Sequence, residues 1–309
     1  MKVGMAGGRL VAQDEASGRW HPIGAPWDDD LLAFLAGGAD ARDRAATLIA
    51  EGAPIEGEPA GLPFTPRSLR AFMLWERHFT TAARTMVRRF MPTAVGLVAD
   101  AWALTGRVFP PLQPGKRFHE VPVFYMGNHT AIGGAGETID FRGTACPDFE
   151  LELGMVLAHA VSDPTGDQAL AAIGGFFVLN DWSARDVQFR DERTSPFGGV
   201  VKAKSFATSI GPVVVTPDEV LGRLEELVGE VHVNGEHWST ASGAGPTHDL
   251  GAMVAYAAAG ETLAPGDVLS TGTLPGGCGL ELNRFLTDGD EVTLHLEGVG
   301  TLTNRVRVH

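Results

Sequence analysis

Beyond about residue 116 the chain is a series of short apolar runs separated by glycine and proline turns. Runs of this length that are rich in Val, Phe, Leu and Thr are typical of β-strands. Turn sequences such as Pro265-Gly266-Asp267 precede apolar segments, as expected between strands. The clearest runs are VPVFYMG, FELELGMVL, GGFFVLND, IGPVVVTP and EVTLHLEGVGTLTNRVRV. The pattern predicts a body made mostly of β-strands.

The N-terminal part has a mixed pattern. Weak alternation with glycine turns in the first 24 residues predicts one or two β-hairpins. Three helices are predicted next: Asp29 to Ala36, Asp40 to Gly52 with an aspartate cap and a glycine stop, and Ser68 to Phe90 with Ser68 as its cap. The segment 109–115 has three prolines in seven residues, which is typical of a linker. We therefore expect a small N-terminal α/β part, residues 1–115, and a larger β-rich catalytic part, residues 116–309.

One predicted strand carries acidic residues on a single face. Because side chains alternate along a strand, Asp148, Glu150 and Glu152 share one face, and the intervening Phe149, Leu151 and Leu153 share the other. Neighbours on one face are about 6.6 Å apart at the backbone, so two glutamates can reach one ion. The alternative is an ordinary polar face exposed to solvent.

A second segment, LNDWSARDVQ, places polar residues where an apolar strand ends. Asp181 can point out of the strand end as a third oxygen ligand, and Arg185 and Gln188 fall on one face of the turn that follows. The alternative is that Asp181 or Ser183 caps the next helix. Three carboxylates without a histidine or thiolate favour a hard cation, Mg²⁺ or else Mn²⁺ or Ca²⁺.

Charge and composition exclude several classes of partner. The formal net charge of −14 opposes binding to nucleic acid or to an anionic membrane.

The sequence shows neither the roughly 18 consecutive apolar residues of a membrane helix nor a signal peptide, so a cytoplasmic protein is expected. The two cysteines, Cys146 and Cys278, are too few for a disulfide framework. A bound cation with a few Arg or Lys residues could still reverse the field within a pocket for an acidic metabolite.

The sequence resembles the fumarylacetoacetate hydrolase family over about its last 190 residues. The resemblance is carried, in the family's order, by FELELG, LNDWSARDVQ, KAKSFATSIGP, LAPGDVLSTGTLPGG and EGVGTLTNRV. It implies an α+β, mostly β, fold: the family's mixed β-sandwich roll with a small N-terminal α/β part that carries a lid helix. It also implies a homodimer.

The same resemblance implies roles for single residues. Metal ligation is implied for Glu150, Glu152 and Asp181. The place of a further metal-binding aspartate of the animal enzyme holds Val123 here, so identity of substrate with that enzyme is not implied. Contact with substrate is implied for Tyr125, Arg185, Gln188, Lys204 and Thr273, and we expect Lys204 and Gln188 to offer hydrogen bonds to the developing oxyanion.

The general base has two candidate locations. In animal-type relatives a histidine and a glutamate activate water, and the matching residues here are His129 and Glu281. In smaller relatives a His-x-x-Glu pair on the lid does so, and here His78 fits while Thr81 replaces the glutamate. Glu76 lies two residues before His78, so a Glu76 and His78 pair requires an irregular helix. The catalytic candidates are therefore Glu76, His78, His129 and Lys204.

The function expected from this resemblance is metal-dependent hydrolysis of a carbon-carbon bond in a small 1,3-diketo acid, such as an acylpyruvate or a fumarylacetoacetate-like compound. Related possibilities are a 2-oxo-acid decarboxylase, an isomerase or a hydratase that uses a similar enolate. A protein that binds metal without catalysis is the alternative of a different class. The expected partner is a small oxo-acid.

Overall fold

The N-terminal hairpins are the first elements of the computed structural model, which describes residues 1–91 and 94–309. Strands β1 (Lys2–Ala6), β2 (Arg9–Gln13) and β3 (Trp20–Pro22) pair antiparallel in succession, which confirms the predicted hairpins. Gly7 and Gly8 join β1 to β2 with positive φ angles of 56° and 79°. Glycine adopts this conformation without steric cost, so the turn can be this short.

Two helices follow, α1 (Leu31–Ala36) and α2 (Gly38–Glu51). The carboxylate of Asp30 caps α1 by accepting from the backbone N–H groups of Leu32 and Ala33. The predicted aspartate cap of α2 is wrong, because Gly38, at φ 54°, turns the chain directly from α1 into α2 and Asp40 lies in the first turn. The predicted stop at Gly52 is confirmed.

The later elements are dominated by strands. The helices are α3 (Glu76–Phe90), α4 (Ala94–Leu104), α5 (Lys116–Glu120), α6 (Gly166–Ala171), α7 (Arg185–Thr194), α8 (Val200–Lys204), α9 (Leu250–Ala257) and α10 (Gly279–Leu282). The strands are β4 (Ser68–Phe72), β5 (Phe124–Met126), β6 (Ile132–Gly133), β7 (Thr138–Phe141), β8 (Pro147–Asp148), β9 (Glu150–Leu157), β10 (Val161–Ser162), β11 (Ile173–Asn180), β12 (Ser183–Ala184), β13 (Thr208–Ile210), β14 (Val213–Val215), β15 (Val228–Val233), β16 (Glu236–Ser242), β17 (Thr262–Leu263), β18 (Asp267–Cys278), β19 (Glu291–Leu296) and β20 (Gly300–Val308).

The long helix predicted from Ser68 to Phe90 is wrong in its first third. Residues 68–72 form β4, which pairs parallel with β18 and antiparallel with β5, and the helix α3 begins only at Glu76. The hydroxyl of Ser68 donates to Asp267 at 2.8 Å instead of capping a helix. The intrinsic preference of Leu, Arg, Ala or Phe for helix or for strand is no more than about 1 kcal/mol per residue. Pairing with two strands from distant parts of the sequence therefore decides the conformation of this segment.

One large sheet runs through most of the molecule, in the order β3-β2-β1-β14-β11-β9-β18-β4-β5, with β13 and β6 joined to it beside β11. A second sheet has the order β16-β15-β19-β20-β7. The three central strands β11, β9 and β18 are antiparallel neighbours. The beginning of β9 lies beside the last residues of β11 and β18, and the polar segments of the sequence meet there.

The central strands are buried on both faces. In β11, Phe176 and Val178 belong to a core that also contains residues of the second sheet, such as Leu294. Phe177 and Leu179 point the other way, into a second core that α1 and α2 cover. A strand buried on both faces reads as a continuous apolar run, which explains the FFVL sequence.

The N-terminal strands belong to the same large sheet as the later ones, since β1 pairs with β14 and β4 with β18. The division of the chain near residue 115 stays a prediction. In the described part of the chain, every helix is too short or too polar to cross a bilayer.

Candidate active site

Three carboxylates meet where β9 and β11 run side by side. Glu150 and Glu152 lie in β9, and Asp181 directly follows the last residue of β11. One oxygen from each lies within 4.8 Å of the others. All three are buried, with 4%, 2% and 2% of their surface exposed. The structure therefore brings the predicted trio together, and the alternative of a solvent-exposed polar face is wrong.

Some oxygen atoms of this trio lack partners. Glu152 Oε2 and Asp181 Oδ1 are buried and make no hydrogen bond to the residues described. Burial, together with the charges of Asp181 and Glu150, raises the pKa of Glu152 well above its ordinary value. Unpartnered carboxylate oxygens are costly inside a protein unless a cation is shared among them. An all-oxygen donor set of this kind fits a hard divalent cation.

Two buried cations lie against the trio. The ammonium group of Lys204, at the end of α8, donates to Glu150, to Asp181 Oδ2 at 2.8 Å and to Ser183 Oγ at 2.8 Å. Burial alone would lower the pKa of Lys204, but the charges of Asp181 and Glu150 outweigh it and raise that pKa. Lys204 therefore carries its positive charge inside the site. The sequence predicts for Ser183 only a possible helix cap, and its contact with Lys204 emerges from the fold.

The second cation, Arg185, is the first residue of α7. Its guanidinium donates to Glu150 Oε1 at 2.7 Å, to Asp148 Oδ2 at 2.7 Å and to Gln188 Oε1 at 2.9 Å. Burial opposes ionisation of Glu150, but Arg185 and Lys204 hold its pKa well below the usual range. The predicted shared face of Arg185 and Gln188 is confirmed.

Asp148 has a role that the sequence reasoning missed. Its carboxylate is fully buried and accepts from Arg185 and from the backbone N–H groups of Gly279 and Leu280 at 2.8 and 3.0 Å. It therefore ties Arg185 to the N-terminus of α10. A signal was present in the sequence, because the alternation predicts one shared face for Asp148 and the two glutamates, although in the structure Asp148 ends the separate strand β8.

The predicted pairing of Glu76 with His78 is not found. His78 Nδ1 lies 2.7 Å from Glu281 Oε1, and both side chains are buried, 4% and 7% exposed. The helix α3 is regular here, so side chains two residues apart point in different directions and Glu76 cannot face the ring. Instead, α10 brings in a carboxylate from the other end of the chain. The family resemblance pairs Glu281 with His129, whereas the structure pairs it with His78.

His129, the other histidine candidate, lies in a short 3-10 helix, His129–Ala131, and its side chain is exposed. It is not among the described residues that line the cavity. Among the residues that the structure describes, no contact of this side chain supports a catalytic role, and that role stays an untested prediction.

A cavity of about 670 Å³ opens over the carboxylates. Tyr125 donates its hydroxyl to Asp181 Oδ2 at 2.6 Å, and burial, reinforced by the charge of Asp181, raises the pKa of Tyr125 well above its ordinary value. Thr273 on β18 lies opposite Glu152 in the sheet register. The predicted residues that line this one cavity are His78, Tyr125, Glu150, Glu152, Asp181, Arg185, Gln188, Lys204 and Thr273.

Residues 110–307 match the family model described as Fumarylacetoacetate (FAA) hydrolase C-terminal. Protein Rv2993c of Mycobacterium tuberculosis is 38% identical over 188 residues, which are 60% of this chain and 66% of that protein. A 2,4-didehydro-3-deoxy-L-rhamnonate hydrolase of Sphingomonas sp. (strain SKA58) is 29% identical over 188 residues, 60% of this chain and 65% of that enzyme. This chain thus matches slightly under two thirds of the length of either relative.

Solved structures share the fold over nearly the whole chain. Fumarylacetoacetate hydrolase from Exiguobacterium antarcticum aligns with a TM-score of 0.70 at 22% identity, over 99% of this chain and 98% of that one. Maleylpyruvate hydrolase from Sphingobium sp. SYK-6, in complex with manganese(II) and pyruvate, aligns with a TM-score of 0.69 at 18% identity, over 100% and 99%. A 5-carboxymethyl-2-hydroxymuconate delta-isomerase from Mycobacterium smegmatis gives 0.65 at 22%, over 100% and 99%. The predicted α+β, mostly β, fold class is confirmed.

Proposed function

This chain belongs to the fumarylacetoacetate (FAA) hydrolase family, and from that premise we propose that it is a divalent-metal-dependent hydrolase that cleaves a carbon-carbon bond in a small 1,3-diketo acid of the acylpyruvate class. Hydrolase-type or isomerase-type chemistry follows from the family. One observation carries the narrower proposal: a buried trio of carboxylates lines the same cavity as His78, a histidine that has its own carboxylate partner in Glu281. Metal ligands and a base for water are the two requirements of such a hydrolysis.

Glu150, Glu152 and Asp181 would hold the metal. We propose Mg²⁺, with Mn²⁺ and Ca²⁺ as alternatives, since each prefers oxygen ligands. When bound, such an ion supplies Lewis acidity to the carboxylate and the 2-oxo group of the substrate.

The base would be His78. With its Nδ1 proton directed at Glu281, the ring keeps a lone pair on Nε2 that can accept a proton from water. The oxygen of that water bonds to the distal carbonyl carbon of the substrate. The bond between this carbon and the neighbouring methylene then breaks, and its electron pair remains on the pyruvate fragment as an enolate. His78 returns the proton to the methylene carbon, so that one water is consumed and a carboxylic acid and pyruvate are formed.

The oxyanion formed at the distal carbonyl needs a hydrogen-bond donor. Lys204 and Arg185 are the buried cations at the site, and both are held in place by acidic partners. We assign the oxyanion contact to Gln188, whose Oε1 accepts from Arg185 and whose amide NH2 can donate into the cavity, and to Lys204, which would exchange one of its three present acceptors for the oxyanion. Arg185 positions Gln188 and Glu150. Glu281 gives His78 the carboxylate partner that the glutamate of a His-x-x-Glu motif would supply, and this favours the catalytic interpretation over a protein that binds metal without catalysis.

Production of pyruvate from acylpyruvates tests the proposal directly. Turnover with Mg²⁺ or Mn²⁺ that stops in chelator and returns when metal is added is the expected result. Analysis of products separates the alternatives, because decarboxylation releases carbon dioxide, whereas isomerisation leaves the carbon count unchanged. Full activity in chelator would refute the proposal.

We further propose that the working form is a homodimer, which sedimentation of the purified protein would test.

A further inference from the structure

The cavity is much larger than its polar end. The carboxylates, Lys204 and Arg185 occupy one region, and most of the remaining lining of the 670 Å³ cavity is apolar. Cavities of about 300–1,000 Å³ commonly bind complete small molecules, with a few polar groups fixing one end. A pyruvyl head with a methyl acyl group would fill only a minor part of this space.

The apolar wall follows one face of α3. Phe79, Ala82, Ala83, Met86 and Val87 all line the cavity, at helical spacings of three and four residues. These side chains are only partly buried, so in this structure they lack a complete set of packing partners. His78 stands at the N-terminal end of the same helix. Val87 lies nine residues beyond His78, so at ~1.5 Å per residue the wall extends about 14 Å from the histidine.

Apolar groups also face the helix from the other sides. Phe118 lies near Phe79, with ring centroids 6.2 Å apart, and Leu112, Val123 and Phe124 line the cavity as well. At the far end of α3, Phe189 of α7 contributes a further aromatic ring. The part of the cavity remote from the carboxylates is therefore enclosed mainly by aromatic and aliphatic side chains.

Charged groups are scarce in this region. Of the described lining residues outside the polar end, Glu192 and Arg193 alone carry a charge, and both are exposed. Glu192 accepts a hydrogen bond from the backbone of Gly199 at 2.8 Å, and the guanidinium of Arg193 lies 5.4 Å from the centre of the Phe189 ring. A second carboxylate on the substrate would thus meet apolar walls, and Arg193 is the one cation among the described lining residues outside the polar end.

We propose that the face of α3 from Phe79 to Val87 forms an acyl-binding subsite that selects acylpyruvates with a bulky alkyl or aryl acyl group over short or carboxylated ones. This inference rests on the proposed function and narrows its substrate class. Each methylene group removed from water should raise kcat/KM by about fourfold until the subsite is filled. A terminal carboxylate should lower kcat/KM, because its charge would be desolvated without a partner.

Turnover and binding can be measured separately. The first arm compares kcat/KM for acetylpyruvate, hexanoylpyruvate, benzoylpyruvate and succinylpyruvate. The second measures binding of N-hexyl oxamate, N-methyl oxamate and N-carboxypentyl oxamate, which are not cleaved, to the Mn²⁺-loaded protein by isothermal titration. We expect hexanoyl and benzoyl substrates to exceed the acetyl and succinyl ones by at least about tenfold, and the hexyl oxamate to bind tightest.

The outcomes separate the two proposals. If succinylpyruvate is preferred, or if the carboxypentyl oxamate binds tightest, the subsite proposal is overturned while the hydrolase stands. If no acylpyruvate is cleaved but hexyl oxamate still binds tightest, the hydrolase proposal fails and the apolar subsite is supported. Equal binding of all three oxamates overturns the subsite.

Two variants locate the subsite on α3. Met86→Arg should shift the ratio of hexanoyl to succinyl turnover toward succinyl by at least about tenfold, whereas the volume-conserving Met86→Leu should not. Arg77→Gln, on the exposed side of the same helix, is the control for the helix itself. If Met86→Arg does not fold, the variant Arg193→Gln gives a second test. The proposal is contradicted if the parent protein strongly prefers succinylpyruvate and the Arg193→Gln variant no longer cleaves it.

Discussion

His78 and Glu281 are 203 residues apart in sequence, yet an oxygen of the glutamate lies 2.7 Å from Nδ1 of the histidine. The pair is buried, and Glu281 is itself held by the backbone N–H of Gly276 at 3.1 Å. A buried carboxylate that accepts from one ring nitrogen fixes the orientation of the histidine ring and its tautomer, so that the other ring nitrogen carries no proton. This relationship makes His78 a better candidate for the base than His129.

Replacing Glu281 by Gln should lower kcat by about 10²-fold or more, within the range ascribed to a general base. The amide cannot stabilise the imidazolium that forms when His78 takes a proton, and the pH profile of kcat should therefore change as well. Glu76→Gln is the matched control, since Glu76 lies outside the cavity lining, and it should retain activity within about twofold. Normal turnover by the Glu281 variant together with loss in the Glu76 variant would favour the pair that sequence alone suggested.

The carboxylate trio predicts a second result. Glu152→Gln and Asp181→Asn should each weaken Mn²⁺ binding strongly, because both remove an anionic ligand from a three-ligand set. Metal at about 100 times its Kd should stabilise the parent protein by about 2.7 kcal/mol, and this stabilisation should vanish in the variants. Isothermal titration and thermal unfolding would measure both effects, with Glu225→Gln, at an exposed position outside the cavity lining, as the control. Undiminished Mn²⁺ affinity in both variants would show that the trio is not the site.

The metal-free protein should become less stable as the pH rises. Burial and two neighbouring carboxylates raise the folded-state pKa of Glu152 above its ordinary value of 4.5. At a pH between 4.5 and the raised pKa, Glu152 is protonated in the folded protein and ionised in the unfolded chain. The contribution of Glu152 to the free energy of unfolding is therefore greatest below pH 4.5 and is lost as the pH rises. The lowered pKa of Glu150 acts only below its ordinary value, outside this window.

Urea unfolding in chelator from pH 5 to pH 8 would measure this slope. Glu152→Gln should reduce it, because the amide does not titrate. Added Mn²⁺ should reduce it in the parent protein, because the ion favours the ionised carboxylate. An unchanged slope in the Glu152 variant would assign the pH dependence to other groups.

Local patterns were sufficient to predict several features of this protein. Alternation along one strand placed Glu150 and Glu152 on a common face, and the end of an apolar run placed Asp181 at a strand end. Helical spacing placed Arg185 beside Gln188. Each of these predictions depends on neighbours within a few residues, where backbone geometry alone decides which side chains meet.

The features that sequence did not reveal depend on distant partners. Residues 68–72 become a strand because β18 and β5 flank them, and their own sequence is equally compatible with a helix. Glu281 reaches His78 only because α10 follows the end of β18, next to α3. No spacing rule relates residues that are separated by 203 positions, so such pairs emerge only from the complete fold.

Asp148 gives the last prediction, because it holds Arg185 without facing the proposed substrate. Asp148→Ala should destabilise the fold by about 3–5 kcal/mol, since it leaves a buried guanidinium without one of its two carboxylates and frees the N–H groups of Gly279 and Leu280. Urea unfolding would measure the loss. Asp148→Asn keeps an acceptor oxygen and should cost less, whereas Asp163→Asn, at an exposed position, is a control for the loss of one charge. If the alanine variant is as stable as the parent, Arg185 is held by Glu150 and Gln188 alone, and the tie between β8 and α10 contributes nothing to the site.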